Sequence, residues 1–388
     1  MRKGWEYKKL GEVCCPKSKI QRATKCFGGS DEILYIDISS IDNSVQEVNS
    51  ITSFTMSNAP SRAQQKVEYG DIIVSTVRPN LKNVAFIKQH DSNLVVSSGF
   101  CVLRTTDDIE RNYLFRYITS DIFTQHLMKL TTGANYPAVR DLDVRDSTIP
   151  LPPKSTQIEI VSELDKINEL IRLKKEQLKD FDNLAQSLFF EMFGDPVENE
   201  KGWEVKKLGE ICEVVTGTTP KTNIPEYWGK GHYWVTPAEL NDTAVYIDRT
   251  EREITEEALS KTKLRLLPVG TVLLSSRAPI GKVAITKVEM YCNQGFKNCI
   301  CSDSICNKYL FYFLRMMKEY LNSLGRGATF KEISKSIVES IRIPLPPLSL
   351  QQLFAQRIEQ IEREKSEVQK SIQDFETLLA SRMQYWFE

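Results

Sequence analysis

The chain has 388 residues, and its 51 Lys+Arg balance 51 Asp+Glu. That length allows two or three compact units, and the zero net charge argues at first sight against a polyanion partner. No run reaches 18 apolar residues and the opening Met1-Arg2-Lys3-Gly4-Trp5-Glu6 holds no apolar signal region, so a membrane-spanning helix is excluded and an unexported, cytoplasmic protein is expected, its nine cysteines reduced.

Taken in order, residues 1–149 form a first globular segment entered through Gly4-Trp5-Glu6-Tyr7-Lys8-Lys9-Leu10-Gly11-Glu12-Val13-Cys14. Short β-type runs follow, and Ile33 to Ile38, Ile72 to Ser75, Val84 to Ile87 and Phe100 to Leu103 are expected strands. Ile149 then leads into residues 150–195, which open Pro150-Leu151-Pro152-Pro153 and offer Ser155 as a helix N-cap. From there apolar residues recur at steps of four and three: Ile160, Leu164, Ile167, Ile171, Leu178, Phe181, Ala185, Leu188 and Met192, with Lys174 the break. A 4-3 repeat of this length is a coiled-coil seam, and Gly194-Asp195-Pro196 stops it.

Residues 196–343 repeat the first segment. Gly202-Trp203-Glu204-Val205-Lys206-Lys207-Leu208-Gly209-Glu210-Ile211-Cys212 matches the first entry at nine of eleven positions. Tyr233 to Thr236, Thr271 to Ser275, Val283 to Thr286 and Cys299 to Cys301 are expected strands. Gly99-Phe100 is answered by Gly295-Phe296, and Tyr113-Leu114-Phe115 by Tyr309-Leu310-Phe311. Residues 344–388 repeat the rod at an offset of 194. Ser349 leads into Phe354, Ile358, Ile361, Val368, Ile372, Phe375, Leu379 and Trp386, with Lys365 and Arg382 as interruptions. An amphipathic rod cannot bury its stripe alone. The two therefore pair with each other, antiparallel if the halves are related by a two-fold axis, and a homodimeric coiled coil is the alternative. Aromatics crowd both ends, and Phe189, Phe190, Tyr385 and Phe387 serve equally to dock a partner or to close the core of a neighbouring domain.

Splitting the charge changes the first impression. The globular segments sum to +2 (1–149) and +5 (201–343), and the rods to −5 (150–200) and −2 (344–388), so positive potential sits where a nucleic acid could be gripped. Catalytic signatures are missing: there is no Gly-x-Gly-x-x-Gly, phosphate loop, His-Glu-x-x-His or Gly-x-Ser-x-Gly. Neither the three scattered histidines nor Cys292, Cys299, Cys301 and Cys306 have zinc-site spacing.

Loops suit DNA better. Ser75, Thr76, Arg78, Asn80 and Lys82 surround a proline-stiffened turn, answered by Ser275, Ser276, Arg277 and Lys282 with the arginine displaced by one residue. Hydroxyls and lysines suit phosphates and arginine suits a guanine edge, although the same turn also serves as a plain strand connection. Asn135 and Tyr136 after Gly133, and Thr329 and Lys331 after Gly327, are a second pair of candidates or simply helix-to-strand connectors. The halves diverge most over 214–242, where Thr216, Thr218, Thr219, Tyr227 and Thr236 complete the candidate DNA contacts. Tyr227, Trp228 and Trp234 suit a core better than base stacking.

The paired Gly-Trp-x-x-Lys-Lys-Leu-Gly-Glu entries, the Pro-Leu-Pro-Pro leads and the Thr-Gly-Thr-Thr-Pro, Tyr-Trp and Trp-Val-Thr-Pro run together resemble, over essentially the whole chain, the specificity subunit of type I restriction-modification systems. The resemblance implies an α+β fold, with two β-rich target-recognition domains in tandem, each followed by a long helix, and the helices pairing as an antiparallel coiled coil. It also implies a non-catalytic chain, monomeric within a hetero-oligomer. The partners it implies are double-stranded DNA, two modification subunits that bind S-adenosylmethionine and methylate adenine, and restriction subunits that use ATP and Mg. Each domain would read half of a bipartite site while the rods set the gap. Ile160 to Met192, about 33 residues, would span roughly 50 Å, or about 15 base pairs. A duplicated adaptor binding only proteins is the rival reading, and an enzyme with an unrecognised site is a second.

Overall fold

The computed structural model describes residues 4–133, 136–277, 279–326 and 331–388. It divides into two compact units, Met1–Leu173 with Ser371–Glu388, and Lys174–Lys370. In each unit the globular part takes one stretch of each long helix into its own core.

In the first unit Glu6–Lys9 pairs antiparallel with Thr148–Leu151, stitching the entry of the globular part to its exit. Ile72–Ser75 is the centre of an antiparallel sheet between Phe100–Leu103 and Val84–Phe86. Side chains alternate along a strand. Ile72, Val74, Val84, Cys101 and Leu103 thus enter one core with Tyr113, Leu114, Phe123 and Leu127 of two following helices. Ile73, Ala85, Phe100 and Val102 enter another with Ile36, Leu94 and Val96. Burial on both faces is why these strands read as unbroken apolar runs. A second sheet runs Thr52–Thr55, Glu32–Ile36, Leu94–Ser97, Ala63–Lys66, its middle pair parallel. The strand expected to reach Ile38 stops at Ile36, where Asp37 caps a short 3-10 turn over Ile38–Ser40.

The second unit repeats this frame. Glu204–Lys207 pairs with Arg342–Leu345. A five-stranded sheet runs Cys212–Thr216, Lys297–Cys301, Val272–Leu274, Val283–Thr286, Tyr246–Ile247. Trp228–Val235 is flanked by Glu253–Ile254 and by Tyr291–Cys292, the latter parallel to it. The expected strand at Tyr233 is thus the end of a longer one.

The rods are helices of 40 residues each, Lys154–Phe193 and Leu348–Phe387. Ser155 and Ser349 are not their N-caps. Both lie inside the first turn, and the carbonyls of Pro153 and Pro347 accept the first helical bonds, from Gln157 and Gln351. Gly194, at φ +77°, ends the central helix in a left-handed conformation that suits glycine. Pairing is within the chain and antiparallel. In the first unit Ile160 and Leu164 share a core with Phe387 and Leu379, and Arg382 Nη2 donates to Glu163 Oε2 at 3.0 Å. In the second, Phe189 and Phe193 pack on Phe354, and Lys365 Nζ donates to Asp182 Oδ1 at 2.8 Å. The charges that interrupt the C-terminal stripe, Lys365 and Arg382, are therefore members of cross-helix ion pairs, whereas Lys174, the break in the central stripe, donates to Gln177 on its own helix at 3.1 Å. Ile167, Ile171, Ile358, Ile361, Val368 and Ile372 are buried, while Leu178, Phe181 and Phe375 are half-buried.

Candidate nucleic-acid interface

The loop after Ile72–Ser75 is built by its own hydrogen bonds. Ser75 Oγ donates to the Val77 carbonyl at 2.8 Å, and Thr76 Oγ1 to the Gly99 carbonyl at 2.9 Å. Both hydroxyls are buried, so they tie the loop to the neighbouring turn and are not offered to a phosphate, contrary to the sequence-based expectation. What the loop does present is cationic and polar. Arg78 and Lys82 both adopt left-handed backbone, φ +50° and +51°, and flank a 3-10 turn over Pro79–Leu81. The Arg78 guanidinium lies 4.5 Å from the centre of the Tyr136 ring, which is 68% exposed. Asn80 is exposed, and Lys82 Nζ donates to Asp121 Oδ1 at 2.6 Å. Asn135 lies outside the described residues.

The second unit repeats the internal bonds and changes the rim. Ser276 Oγ donates to the Gly295 carbonyl at 3.0 Å, the counterpart of Thr76 on Gly99, and Ser276 is fully buried; it too is withdrawn from the surface. Arg277 occupies the bridge position that Val77 holds in the first unit, opposite Glu332 where Val77 faces Ala138. Its Nε donates to Glu332 Oε2 at 3.0 Å, and the buried Lys297 donates to Glu332 Oε1 at 3.1 Å. Burial opposes ionisation of Glu332, but the bonds from Lys297 and Arg277 prevail and hold its carboxyl below its ordinary range. Lys282 Nζ is engaged by the Leu240 carbonyl at 2.8 Å. Lys331 is exposed, and Thr329 lies outside the described residues.

The threonine-rich run is largely scaffold. A Cβ at Gly217 would lie 1.9 Å from the Asn293 carbonyl oxygen, so the glycine permits a close backbone approach. Thr218 accepts through its carbonyl from Trp234 Nε1 at 3.1 Å, and Thr219 bonds Gln294. Thr236 is held by Glu239 at 2.7 and 2.8 Å. Thr216 alone is exposed at the end of its strand. Tyr227 and Trp228 pack against the cluster of buried Trp234, Ile254, Ala258 and Tyr291, with Arg252 3.7 Å from the Trp228 ring. The helix-end aromatics divide: Phe189 and Phe387 are buried in the cores of their units, whereas Phe190 and Tyr385 are 37% and 53% exposed.

Burial raises the Cys14 and Cys292 thiols to about 12, which keeps them protonated, and no group of three metal-ligating side chains occurs among the described residues. Sequence reasoning missed a pair of buried glutamines. Gln157 accepts from Glu110 N at 2.7 Å and donates to the Pro152 carbonyl at 2.9 Å. Gln351 accepts from Cys306 N at 2.8 Å and donates to the Pro346 carbonyl at 2.8 Å. Each fastens the start of a long helix to its globular part. Their recurrence at the 194-residue offset was the available signal.

Residues 2–180 and 200–374 each match the family model described as type I restriction modification DNA specificity domain. The chain belongs to that family. It is 46% identical over 158 residues to the type I restriction enzyme MjaIX specificity subunit of Methanocaldococcus jannaschii, a match covering 40% of this chain and 37% of that one. To the HindI specificity subunit of Haemophilus influenzae it is 20% identical over 375 residues, covering 77% of this chain and 82% of the relative. A solved chain from work on complex assembly and conformational transition of a type I R-M system superposes with a TM-score of 0.72 at 28% identity, over 100% of this chain and 98% of that one. The α+β architecture read from sequence, tandem specificity domains with long helices, is the family's fold. No helix among the described residues is long and apolar enough to cross a membrane.

Proposed function

We propose that this chain is the DNA-reading subunit of a type I restriction-modification complex, acting in the cytoplasm without chemistry of its own. Each globular part reads one half of a bipartite duplex site, and the paired helices fix the unread gap. S-adenosylmethionine binding and adenine methylation belong to two modification subunits, and ATP- and Mg-dependent translocation and cleavage to restriction subunits. One observation carries this reading: the frame is duplicated down to individual bonds (Thr76 on Gly99, Ser276 on Gly295) while the rims differ, Arg78 against exposed Tyr136 in one unit and Arg277 against Glu332 in the other. A duplicated frame with unlike rims suits two specificities on one scaffold. For partner docking, the support is an exposed apolar set on the long helices of the first unit, Ile158, Leu170, Leu173 and Leu378, since solvated helix faces seldom retain so many.

The test is a segment exchange. Residues 1–149 are replaced with the matching segment of a relative of different specificity, and methylated adenines are mapped across the host genome. One half of the methylated motif changes and the other half and the gap stay. A change in both halves refutes modular reading.

A further inference from the structure

The first unit carries a basic surface that no recognition motif contains. Residues 16–27 hold Lys17, Lys19, Arg22 and Lys25 with no acidic residue, and residues 60–66 hold Arg62 and Lys66 with none. The fold brings these segments together. Lys66 N donates to the Gln21 carbonyl at 2.9 Å, Arg22 bridges Gln65, and Ala23 is buried with Ala63 in one small cluster. Lys66 Nζ stands 5.7 Å from the centre of the Phe27 ring. The seam is fixed from beneath, since Gln65 Nε2 donates to the carbonyls of Ser97 and Phe100 at 3.1 and 2.8 Å.

Carboxylate pairing separates this seam from most other cations of the unit. Lys17 is paired with Asp141 at 3.5 Å, and Lys82, Lys88, Arg104, Arg116, Arg140 and Arg145 also have carboxylate partners. Among the described residues, Lys19, Arg22, Lys25, Arg62 and Lys66 have none. Lys19, Arg22, Lys25 and Arg62 are exposed and Lys66 is half-buried. Like charges gathered on a rigid seam without counter-charges concentrate positive potential, the condition for displacing counterions from a polyphosphate. The second unit builds this part of its frame differently: after Cys212 its chain continues as a strand to Thr216, whereas the first unit makes a single bridge at Cys14 and then turns away into the basic segment.

Resting on the DNA-reading proposal, we propose that Lys19, Arg22, Lys25, Arg62 and Lys66 are a duplex-backbone grip peculiar to the first unit, contacting phosphates without regard to sequence. A lipid surface fits less well, because the seam's anchoring residues Ala23 and Ala63 are buried and no large apolar side chain of residues 16–27 or 60–66 is exposed for insertion.

The test uses the complex purified from its host through a tag on this chain, with two duplex probes of equal length, one carrying the methylated motif and one of random sequence. Binding is measured across a salt series for the parent and for a Lys19→Gln, Lys25→Gln, Lys66→Gln variant. Losing three phosphate contacts makes the logarithmic salt slope shallower by about 2.7 on both probes. The charge-keeping variant Lys19→Arg, Lys25→Arg, Lys66→Arg holds the parent slope. A glutamine variant within about 0.5 of the parent slope overturns the assignment while leaving DNA reading intact, as does an arginine variant that loses as much as the glutamine one. A parent complex whose binding ignores salt, or which binds neither probe, overturns the DNA reading and the grip together.

Discussion

Replacing Gln157 with leucine tests how a globular part is joined to its helix. The side chain is 1% exposed, and it satisfies two backbone groups, the Glu110 N–H at 2.7 Å and the Pro152 carbonyl at 2.9 Å. Leucine is of similar size but bonds neither. Each of the two backbone groups left without its partner costs about 1–3 kcal/mol, and leucine recovers about 1–2 kcal/mol of the sum through apolar burial, so the net loss is about 1–4 kcal/mol. For a unit of this size, at about 3 °C per kcal/mol, that lowers the melting temperature by roughly 3–12 °C. Gln351→Leu, whose contacts repeat those of Gln157, loses a similar amount. Leucine at Gln186, exposed on the same helix as Gln157, costs less than about 0.5 kcal/mol. Thermal unfolding of the three variants, followed by circular dichroism, reads this directly. A Gln157→Leu protein melting within about 1 °C of its parent refutes the argument that these glutamines join helix to domain.

Three other outcomes follow from the same contacts. Deleting one heptad from each long helix shortens each by about 10 Å, or about 3 base pairs; methylome mapping then shows a contracted gap or no methylation, and an unchanged gap with full methylation refutes the spacing role. Glu163→Gln removes the charge that pairs with Arg382 and leaves one acceptor oxygen where Arg382 and Trp386 now use two, and it costs about 0.5–1 kcal/mol at neutral pH. The bond from Arg382, only partly opposed by burial, depresses the Glu163 carboxyl, so its contribution is present above the ordinary carboxylate range and lost as pH falls through the depressed value; the parent and variant stabilities should converge in acid, and a constant difference down to about pH 3 counts against the ion pair. Glu332→Gln leaves the buried Lys297 without its carboxylate and destabilises by about 3 kcal/mol, and adding Lys297→Met recovers most of that loss by removing the orphaned charge; a double variant no better than the single one in urea unfolding contradicts this.

The long helices and the inner strands were legible because each obeys one simple period. The stripe from Ile160 to Ile171 marks the face that packs in the first unit, and the unbroken run Ile72–Ser75 marks a strand buried on both sides. The caps and the edges were less so. Ser155 looks like an N-cap by residue type, yet Pro152 and Pro153 fix the backbone so that the helix starts from Pro153, two residues earlier, and Gln157 completes the start. A glutamine among charged helix residues reads as solvated until the loop at Glu110, 47 residues back, is folded over it. The basic seam escaped for the same reason: neither residues 16–27 nor 60–66 is conspicuous alone, and only the Arg22–Gln65 bridge makes them one surface.

The candidate loops show how internal repetition misleads. Ser75, Thr76 and Ser276 stand out in the sequence because hydroxyls recur beside an arginine and a lysine in both halves. In both units the equivalent hydroxyl closes the same turn, Thr76 on Gly99 and Ser276 on Gly295. What two copies share is what the frame needs, since two domains that read different bases have no reason to keep identical reading groups. The informative feature was the mismatch, the arginine displaced by one residue. It leaves Arg78 in left-handed backbone against an exposed ring, while Arg277 sits on a bridge neutralised by Glu332. In a duplicated reader, base-contacting side chains are therefore to be sought where the halves fail to align, and the bonds that hold the reader together where they do.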